Sequence, residues 1–276
     1  MNQIQLKAPA KINLGLNIVS KRNDGFHNLE TFFYPIKSLN DKLIFTNAKS
    51  FMFNSDNDLL NKEKNNLIIK AHTLLENYIG KKLNVGINLE KNIPIGAGLG
   101  GGSSDAASTL VGLNNFFNLE LTTNQLLELA LQLGSDVPFF IKSQAAVGKA
   151  RGEILEYSDF VINESILIVN PGIHISTKEA FANISTKENN FDYNYFLTNK
   201  NIDYTHLRKY LKNDFEDYVF KLYPSIKEIK EIMYNSGALF SLMSGTGSTV
   251  YGIFETHKKA ENCNKLLPDN YFKKVL

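Results

Sequence analysis

Pro94-Ile95-Gly96-Ala97-Gly98-Leu99-Gly100-Gly101-Gly102-Ser103-Ser104-Asp105-Ala106-Ala107-Ser108 is where the reading of this chain begins, because five of its 18 glycines fall in it. After Ser104 the run changes character. Ala106, Ala107, Leu110, Val111 and Leu113 recur at helical spacing and predict an amphipathic helix. Ser103 or Ser104 is a natural N-cap for that helix, and Asp105 then lies in its first turn, where a carboxylate suits the dipole. Glycines leave backbone N–H groups unshielded, and the helix N-terminus adds a positive field. The combination predicts a phosphate-binding loop. A Gly/Ser linker is the plainer alternative, but linkers stay polar and unpatterned, whereas this run is bounded by Pro94 and by an apolar helix face.

The loop does not fit the two commonest phosphate motifs. Gly96-Ala-Gly98-Leu-Gly100-Gly101 satisfies G-x-G-x-x-G, yet the dinucleotide fingerprint leaves its strand almost directly and leads to a second strand. Here residues 91–95 intervene, and a second helical pattern follows at 125–133. No Gly-Lys-Ser/Thr closes the loop, so it is not a Walker A sequence. A third arrangement is expected.

Composition sets the frame. The chain has 276 residues, enough for one large domain or two small ones, and its 43% hydrophobic content is that of an ordinary globular protein. Thirty basic residues stand against 28 acidic ones, so no strong field for nucleic acid or membrane is expected. The single cysteine, Cys263, excludes an internal disulfide and a cysteine-based metal cluster. The first residues show neither a signal-type apolar stretch nor an Arg-rich leader, and no run reaches 18 apolar residues, so a cytoplasmic location is expected.

In chain order, alternation at residues 4–6 and 12–18 predicts two short strands broken at Ala8-Pro9-Ala10, with Lys11 and Asn13 on the face opposite Ile12 and Leu14. Taken alone, Lys11 reads as a solvated strand lysine. A turn at residues 21–25 is followed by Phe26-His27, an aromatic and an imidazole suited to stacking on a base. Strands are expected at 32–36, 43–45, 50–53 and 83–89, and a helix at 67–78 capped by Asn66. A second helix runs from a Thr122 or Thr123 cap to Leu133 and ends at Gly134. Gly134-Ser-Asp136-Val-Pro138-Phe-Phe140 then holds a carboxylate against apolar neighbours. Asp136 is a candidate general base, although taken alone a capping or turn aspartate is the favoured reading. A strand at 145–147 leads into a basic turn that contains Arg151. Further on come a strand at 166–169, a short helix at 176–182 and an Asn-rich stretch at 187–203 expected to form a long surface excursion. Helices at 204–211 and 225–236, a strand–glycine turn–strand at 241–254, a helix at 258–266 and a strand at 271–275 complete an α+β half.

Three separated stretches now agree. Pro9-Ala-Lys11-Ile-Asn13-Leu, the Pro94–Ala107 run and Met243-Ser-Gly-Thr-Gly-Ser248 resemble, in order, the three signatures of the GHMP small-molecule kinases. The resemblance implies an α+β fold of two domains: a ribosomal-S5-domain-2-like ATP-binding domain over residues 1–160 and a ferredoxin-like domain over residues 161–276. It also implies transfer of the γ-phosphoryl group of ATP, with Mg²⁺, to a hydroxyl of a small molecule. Asp24-Gly-Phe26-His27 and the Asp136-Val-Pro138 stretch resemble those members whose acceptor is a cytidine diphosphate-linked methylerythritol. A homoserine or mevalonate type is the alternative, although those acceptors have no base for Phe26 and His27 to hold.

The same resemblance assigns roles. Lys11 and Asp136 match the catalytic pair, with Asp136 accepting the hydroxyl proton and Lys11 holding it ionised. Pro94, Gly96, Gly98, Leu99, Gly100, Gly101, Gly102, Ser103 and Ser104 match the ATP loop. Amides from Gly98 to Ser104 are expected to cradle the phosphates, Gly101 to leave them space, and a Ser103 or Ser104 hydroxyl to lie near Mg²⁺. Asn13, Phe26, His27, Arg151 and Phe181 are expected to contact the acceptor. Phe26 stands where family members usually carry tyrosine, which keeps the stacking face and loses a hydroxyl. No set of protein metal ligands is identified. The expected partners are small molecules alone, with no nucleic acid and no membrane, the chain being a monomer or weak homodimer.

Overall fold

In the computed structural model, which describes residues 3–63, 65–184, 191–199 and 201–276, the first two expected strands are one, β1 (Gln3–Lys21). The next two also merge, into β2 (His27–Asn47). Pro9 does not interrupt β1, because β1 pairs with β2 alone among the described strands. A strand with one neighbour tolerates a residue without an N–H. There follow β3 (Met52–Ser55), α1 (Asp58–Lys62), α2 (Leu67–Ile79), β4 (Val85–Glu90), α3 (Gly101–Phe116), α4 (Thr123–Leu133) and α5 (Val137–Lys142). Next are β5 (Ala146–Lys149), β6 (Ile154–Tyr157), β7 (Ser165–Asn170), α6 (Thr177–Ala182), α7 (Tyr195–Thr198), α8 (Tyr204–Tyr210) and α9 (Glu216–Leu222). The chain ends with α10 (Pro224–Asn235), β8 (Phe240–Met243), β9 (Val250–Phe254), α11 (His257–Asn264) and β10 (Phe272–Val275).

The residues group into two compact units: one of Met1–Ala10, Pro35–Ile95 and Gly100–Ser143, the other of Lys11–Tyr34, Gly96–Leu99 and Gln144–Leu276. In the first unit β4 runs antiparallel to the second half of β2, from Lys42↔Glu90 to Asn47↔Val85, and parallel to β3. Helix α3 packs against α2, α4 and α5. Gly112 allows α3 to lie directly on the Phe45 ring, which occupies the place of the missing Cβ. The neighbouring helices start where the sequence says they should. The Asn66 side chain accepts from Ile68 N at 2.8 Å, and Thr122 and Gln125 form a capping box.

In the second unit the first half of β2 pairs with β5, with Phe32 opposite Val147, and β5 with β6. A four-stranded antiparallel sheet has the order β10-β7-β9-β8, the ferredoxin-like arrangement. Helix α10 packs on β8 and β9, and α11 on β7, β9 and β10. Leu167, Val169, Phe215, Ile229, Met233 and Phe254 lie in the core between these layers.

The Asn-rich stretch differs from expectation. Residues 187–190 and 200 lie outside the described residues, but Phe191, Tyr193 and Phe196 are buried, and the Tyr193 hydroxyl donates to Asn17 Oδ1 at 2.7 Å. Phe196 stacks on Phe32 at 4.2 Å. The count of polar residues concealed the aromatics, each of which buries enough area to outweigh several neighbouring asparagines. Phe191, Tyr193 and Phe196 are part of the second unit's interior.

Candidate functional site

Lys11 and Asn13 leave the same face of β1, being two residues apart on a strand. Both are buried, at 3% and 1% exposure, so Lys11 is not a solvated strand lysine. Its ammonium donates to Asn13 Oδ1 and stands 5.4 Å from the centre of the Phe33 ring. Asn13 Nδ2 donates to Thr31 Oγ1 at 2.9 Å, and the Thr31 hydroxyl donates in turn to Gly15 O. The backbone of Asn13 is held on both sides: its N–H donates to Ser244 Oγ at 3.2 Å, and its carbonyl accepts from the Tyr251 hydroxyl at 3.0 Å. Burial of charge and amide is tolerable only with such partners.

The glycine loop begins in the same unit. Gly96, Gly98 and Gly100 have φ of 66°, 77° and 72°, the left-handed region that favours glycine. A Cβ on Gly98 would strike the Ser244 carbonyl. Three successive carbonyls are consumed by protein donors: Ala97 O by Thr249 N at 3.2 Å, Gly98 O by Ser244 Oγ at 2.9 Å, and Leu99 O by Lys11 N at 2.9 Å. Among the described residues, no protein acceptor takes the amides from Gly98 to Ser103. Leu99 is fully buried and anchors the loop, while Pro94 is half-buried.

In the first unit, α3 starts earlier than the sequence suggested. Gly100, not Ser103 or Ser104, occupies the N-cap position, and no side chain caps the helix. A glycine N-cap costs only a few tenths of a kcal/mol relative to serine and leaves the first-turn amides open. The Ser104 amide already donates to Gly100 O at 2.9 Å, so the available donors end at Ser103. The Ser104 hydroxyl is buried and has no hydrogen-bond partner.

Asp105 is likewise inside the helix and not at its dipole. It is buried, and its Oδ2 accepts from Lys91 Nζ at 2.7 Å. Lys91 also bonds the fully buried Asp41, whose Oδ1 accepts from Asn92 N at 2.6 Å and Ile93 N at 2.8 Å. Burial pushes the Asp105 carboxyl up to about 7 against the pull of Lys91. For Lys91 burial works against the charge, and the two carboxylates more than offset it, so its pKa is raised. A Cβ on Gly101 would lie 3.0 Å from Lys91 Nζ and from Ile93 Cγ2. Gly101 therefore leaves room for this buried triad. At Gly102 the nearest atom to a Cβ is Leu67 Cδ1, 3.8 Å away. The triad escaped sequence reading, although a lysine three residues before Pro94 and an aspartate inside an apolar helix face were its signals.

Asp136 occupies the N-cap position of α5, but its side chain makes no cap bond. The capping role is thus excluded. Val137, Pro138, Phe139 and Phe140 behind it are buried, which fixes the turn.

The remaining expected residues meet in the second unit. Arg22 pairs with Asp24 at 2.9 Å, and Asp24 Oδ1 accepts from Phe26 N at 3.1 Å, so the turn is closed by its own side chains. Phe26 is 49% exposed, and the Arg151 guanidinium lies 3.8 Å over its ring. His27 stacks on Phe181 at 5.2 Å with 28° between planes, and Phe215 braces Phe181 edge-on at 4.9 Å. Burial, then Lys21, lowers the His27 pKa, so its imidazole is neutral at pH 7 with one donor and one acceptor nitrogen.

Two nucleotide requirements can be tested on these residues. Open amides at a helix N-terminus fit the phosphates of ATP. For Mg²⁺, no group of three or more His, Cys, Asp or Glu among the described residues could hold a metal. The unpartnered Ser104 hydroxyl suits an ion carried mainly by phosphate oxygens. No helix is long and apolar enough to cross a membrane among the described residues.

Comparison with known proteins shows the family. GHMP kinases N terminal domain matches residues 66–144 and GHMP kinases C terminal matches residues 198–267. A 4-diphosphocytidyl-2-C-methyl-D-erythritol kinase of Azobacteroides pseudotrichonymphae genomovar. CFP2 is 41% identical over 251 residues, covering 89% of this chain and 91% of the relative. The crystal structure of a 4-(cytidine 5'-diphospho)-2C-methyl-D-erythritol kinase superposes with a TM-score of 0.82 at 31% identity, over 99% of this chain and 98% of that one. A homoserine kinase from Cytophaga hutchinsonii has a TM-score of 0.76 at 15% identity over 100% of this chain and 94% of its own, a likeness of fold alone.

Proposed function

From a chain that belongs to the GHMP kinase family, and within it to the 4-diphosphocytidyl-2-C-methyl-D-erythritol kinases, we infer transfer of the γ-phosphoryl group of ATP to the 2-hydroxyl of 4-diphosphocytidyl-2-C-methyl-D-erythritol, a step of isoprenoid precursor synthesis. The observation that carries this reading is the near-full-length match at 41% identity to a kinase of that name. The stacked His27–Phe181 pair beside Phe26 supports it, since a cytosine needs a flat apolar face and an edge donor or acceptor.

In this reading the 2-hydroxyl oxygen forms the new O–P bond as the bond from the γ-phosphorus to the β–γ bridging oxygen breaks, and ADP leaves. Phosphoryl transfer of this kind needs positioning and charge neutralisation more than covalent help. Asp136 accepts the hydroxyl proton. Lys11, held by Asn13, orients the hydroxyl and neutralises the charge that develops on it, and Asn13 lies beside the methylerythritol hydroxyls. Amides from Gly98 to Ser103 receive the phosphates, with Pro94, Gly96 and Leu99 shaping the loop. Mg²⁺, when bound, neutralises the phosphate charge, and Ser103 or Ser104 offers it a hydroxyl. Phe26, His27 and Phe181 hold the cytosine, and Arg151 reaches the diphosphate of the acceptor. The reading places ATP binding in residues 1–160, the C-terminal domain in 161–276, and the enzyme in the cytoplasm as a monomer or weak homodimer.

ADP release by the purified protein with each candidate acceptor tests the assignment. Turnover is expected with the cytidine compound and not with homoserine or mevalonate. Turnover with homoserine alone would overturn it.

A further inference from the structure

Residues 212–216 belong to none of the three signature stretches, yet within the second unit they tie the turn of the third to β1, the strand that carries the first. They run alongside β1. Leu16 N donates to Lys212 O and Asp214 N to Leu16 O, both at 2.9 Å, a parallel bridge between Leu16 and Asn213. Asp214 Oδ2 accepts from Ile18 N at 2.7 Å and its Oδ1 from Asn17 Nδ2 at 3.3 Å. On the other side, the buried Asn213 donates from Nδ2 to Met243 O and to Gly245 O, each at 2.7 Å. Glu216 Oε1 accepts from Met243 N at 2.9 Å. An amide group has two N–H donors on one nitrogen, so Asn213 satisfies both carbonyls of the turn with a single short side chain.

The turn so held reaches the site. Ser244 donates its hydroxyl to Gly98 O at 2.9 Å and accepts Asn13 N at 3.2 Å. Thr249 N donates to Ala97 O at 3.2 Å, and Ser244 N to Thr249 O at 2.9 Å. A continuous set of bonds therefore runs from Asn213 through the turn to the carbonyl of the glycine loop and to the strand that carries Lys11 and Asn13.

We propose that Asn213 is a positioning residue for phosphoryl transfer: it sets Ser244 through the Met243 and Gly245 carbonyls, and Ser244 sets the Gly98 loop and the Asn13 backbone. The proposal rests on the kinase reading above. Asn213 touches neither substrate, and its effect passes through Ser244. Loss of the Asn213 donors leaves two buried carbonyls unmet and releases the turn, so the loop no longer presents its amides in one arrangement.

The test compares wild type, Asn213→Ala, Ser244→Ala and the double variant. Affinity for a non-hydrolysable ATP analogue is read by calorimetry, and kcat and KM by ADP release with the cytidine acceptor. Each single variant is expected to weaken analogue binding and lower kcat by about tenfold, with acceptor KM within about twofold of wild type. The double variant is expected to lie within about twofold of Ser244→Ala, because both changes act on one path. Ser244→Thr, which keeps the hydroxyl, restores binding. A lowered Tm with unchanged kcat and analogue affinity overturns the proposal, and so do effects of the two changes that multiply independently. If Asn213→Ala does not fold, Asn213→Asp takes its place, since it keeps the side chain's size and its bond from Phe215 N and loses both N–H donors; unchanged analogue affinity and kcat in that variant overturn the proposal. If wild type does not turn over the cytidine acceptor, that substrate assignment fails while the analogue arm still reads Asn213.

Discussion

The face of β1 that carries Lys11 and Asn13 and the turn that carries Phe26 and His27 lie in one unit and are built in opposite ways. On the strand, every polar group that the hydrogen-bond network reaches is buried and held: Lys11 on Asn13, Asn13 on Thr31, Thr31 on Gly15. At the turn the rings are partly open to solvent, with Phe26 half-exposed beneath Arg151 and His27 resting on Phe181. The contrast fits two tasks. Chemistry on a phosphoryl group requires one geometry, which burial and hydrogen bonding enforce. Recognition of a base requires a face that must remain uncovered until the base arrives, and stacking tolerates small shifts.

If that division is right, changes on the two sides should have different kinetic signatures. The largest effect is expected on the chemical side. Asp136→Asn and Lys11→Met should each lower kcat by about 10²- to 10⁴-fold with little change in KM for ATP. Steady-state kinetics that left kcat intact in Asp136→Asn would remove the base assignment. On the recognition side His27→Ala should raise KM for the cytidine acceptor by roughly 5- to 100-fold and spare kcat, the size of hydrogen bonds lost from the base edge. A KM change confined to ATP would put the base elsewhere.

Thr31→Val sharpens the comparison from the structural side. It keeps shape but leaves the Gly15 carbonyl and the Asn13 amide without their partner, so urea unfolding should show a loss of about 1–3 kcal/mol. An unchanged midpoint would mean that the strand face is not held as rigidly as its bonds indicate. Smallest is Phe26→Tyr, which restores a hydroxyl on an exposed ring and should change the acceptor KM by no more than about twofold. The pH profile separates the regions again. Because the His27 pKa is lowered from 6.5, the imidazole stays neutral down to that pH, and the acceptor KM should be flat from pH 8 to 6.5 and rise only below. A rise already at pH 7.5 would point to another group.

Much of the architecture was legible where local rules suffice. Asn66 and Thr122 announced their helices because a cap and its first turn are neighbours in sequence. The open amides of the glycine loop were legible because left-handed backbone and free helix amides are properties of the segment itself. The boundaries that were misplaced, such as the start of α3 at Gly101, depended on which of several adequate caps the surroundings selected. The strand breaks expected near Pro9 and residues 37–42 vanished because pairing with a neighbour carried β1 and β2 through them.

By itself the sequence determined the loop, the longer helices, the candidate lysine, aspartate and aromatic–histidine pair, and the family to which their order belongs. Tertiary structure alone decided that Lys11 is buried against Asn13, that Asp105 answers Lys91 and not the helix dipole, and that Gly101 makes room for that triad. It also placed Phe191, Tyr193 and Phe196 of an asparagine-rich stretch in the interior. The physical reason is range. Capping and left-handed glycines act over a few residues, whereas the partners of a buried charge are chosen by the fold: Asp41 lies 50 residues from Lys91 and Ser244 lies 231 residues from Asn13.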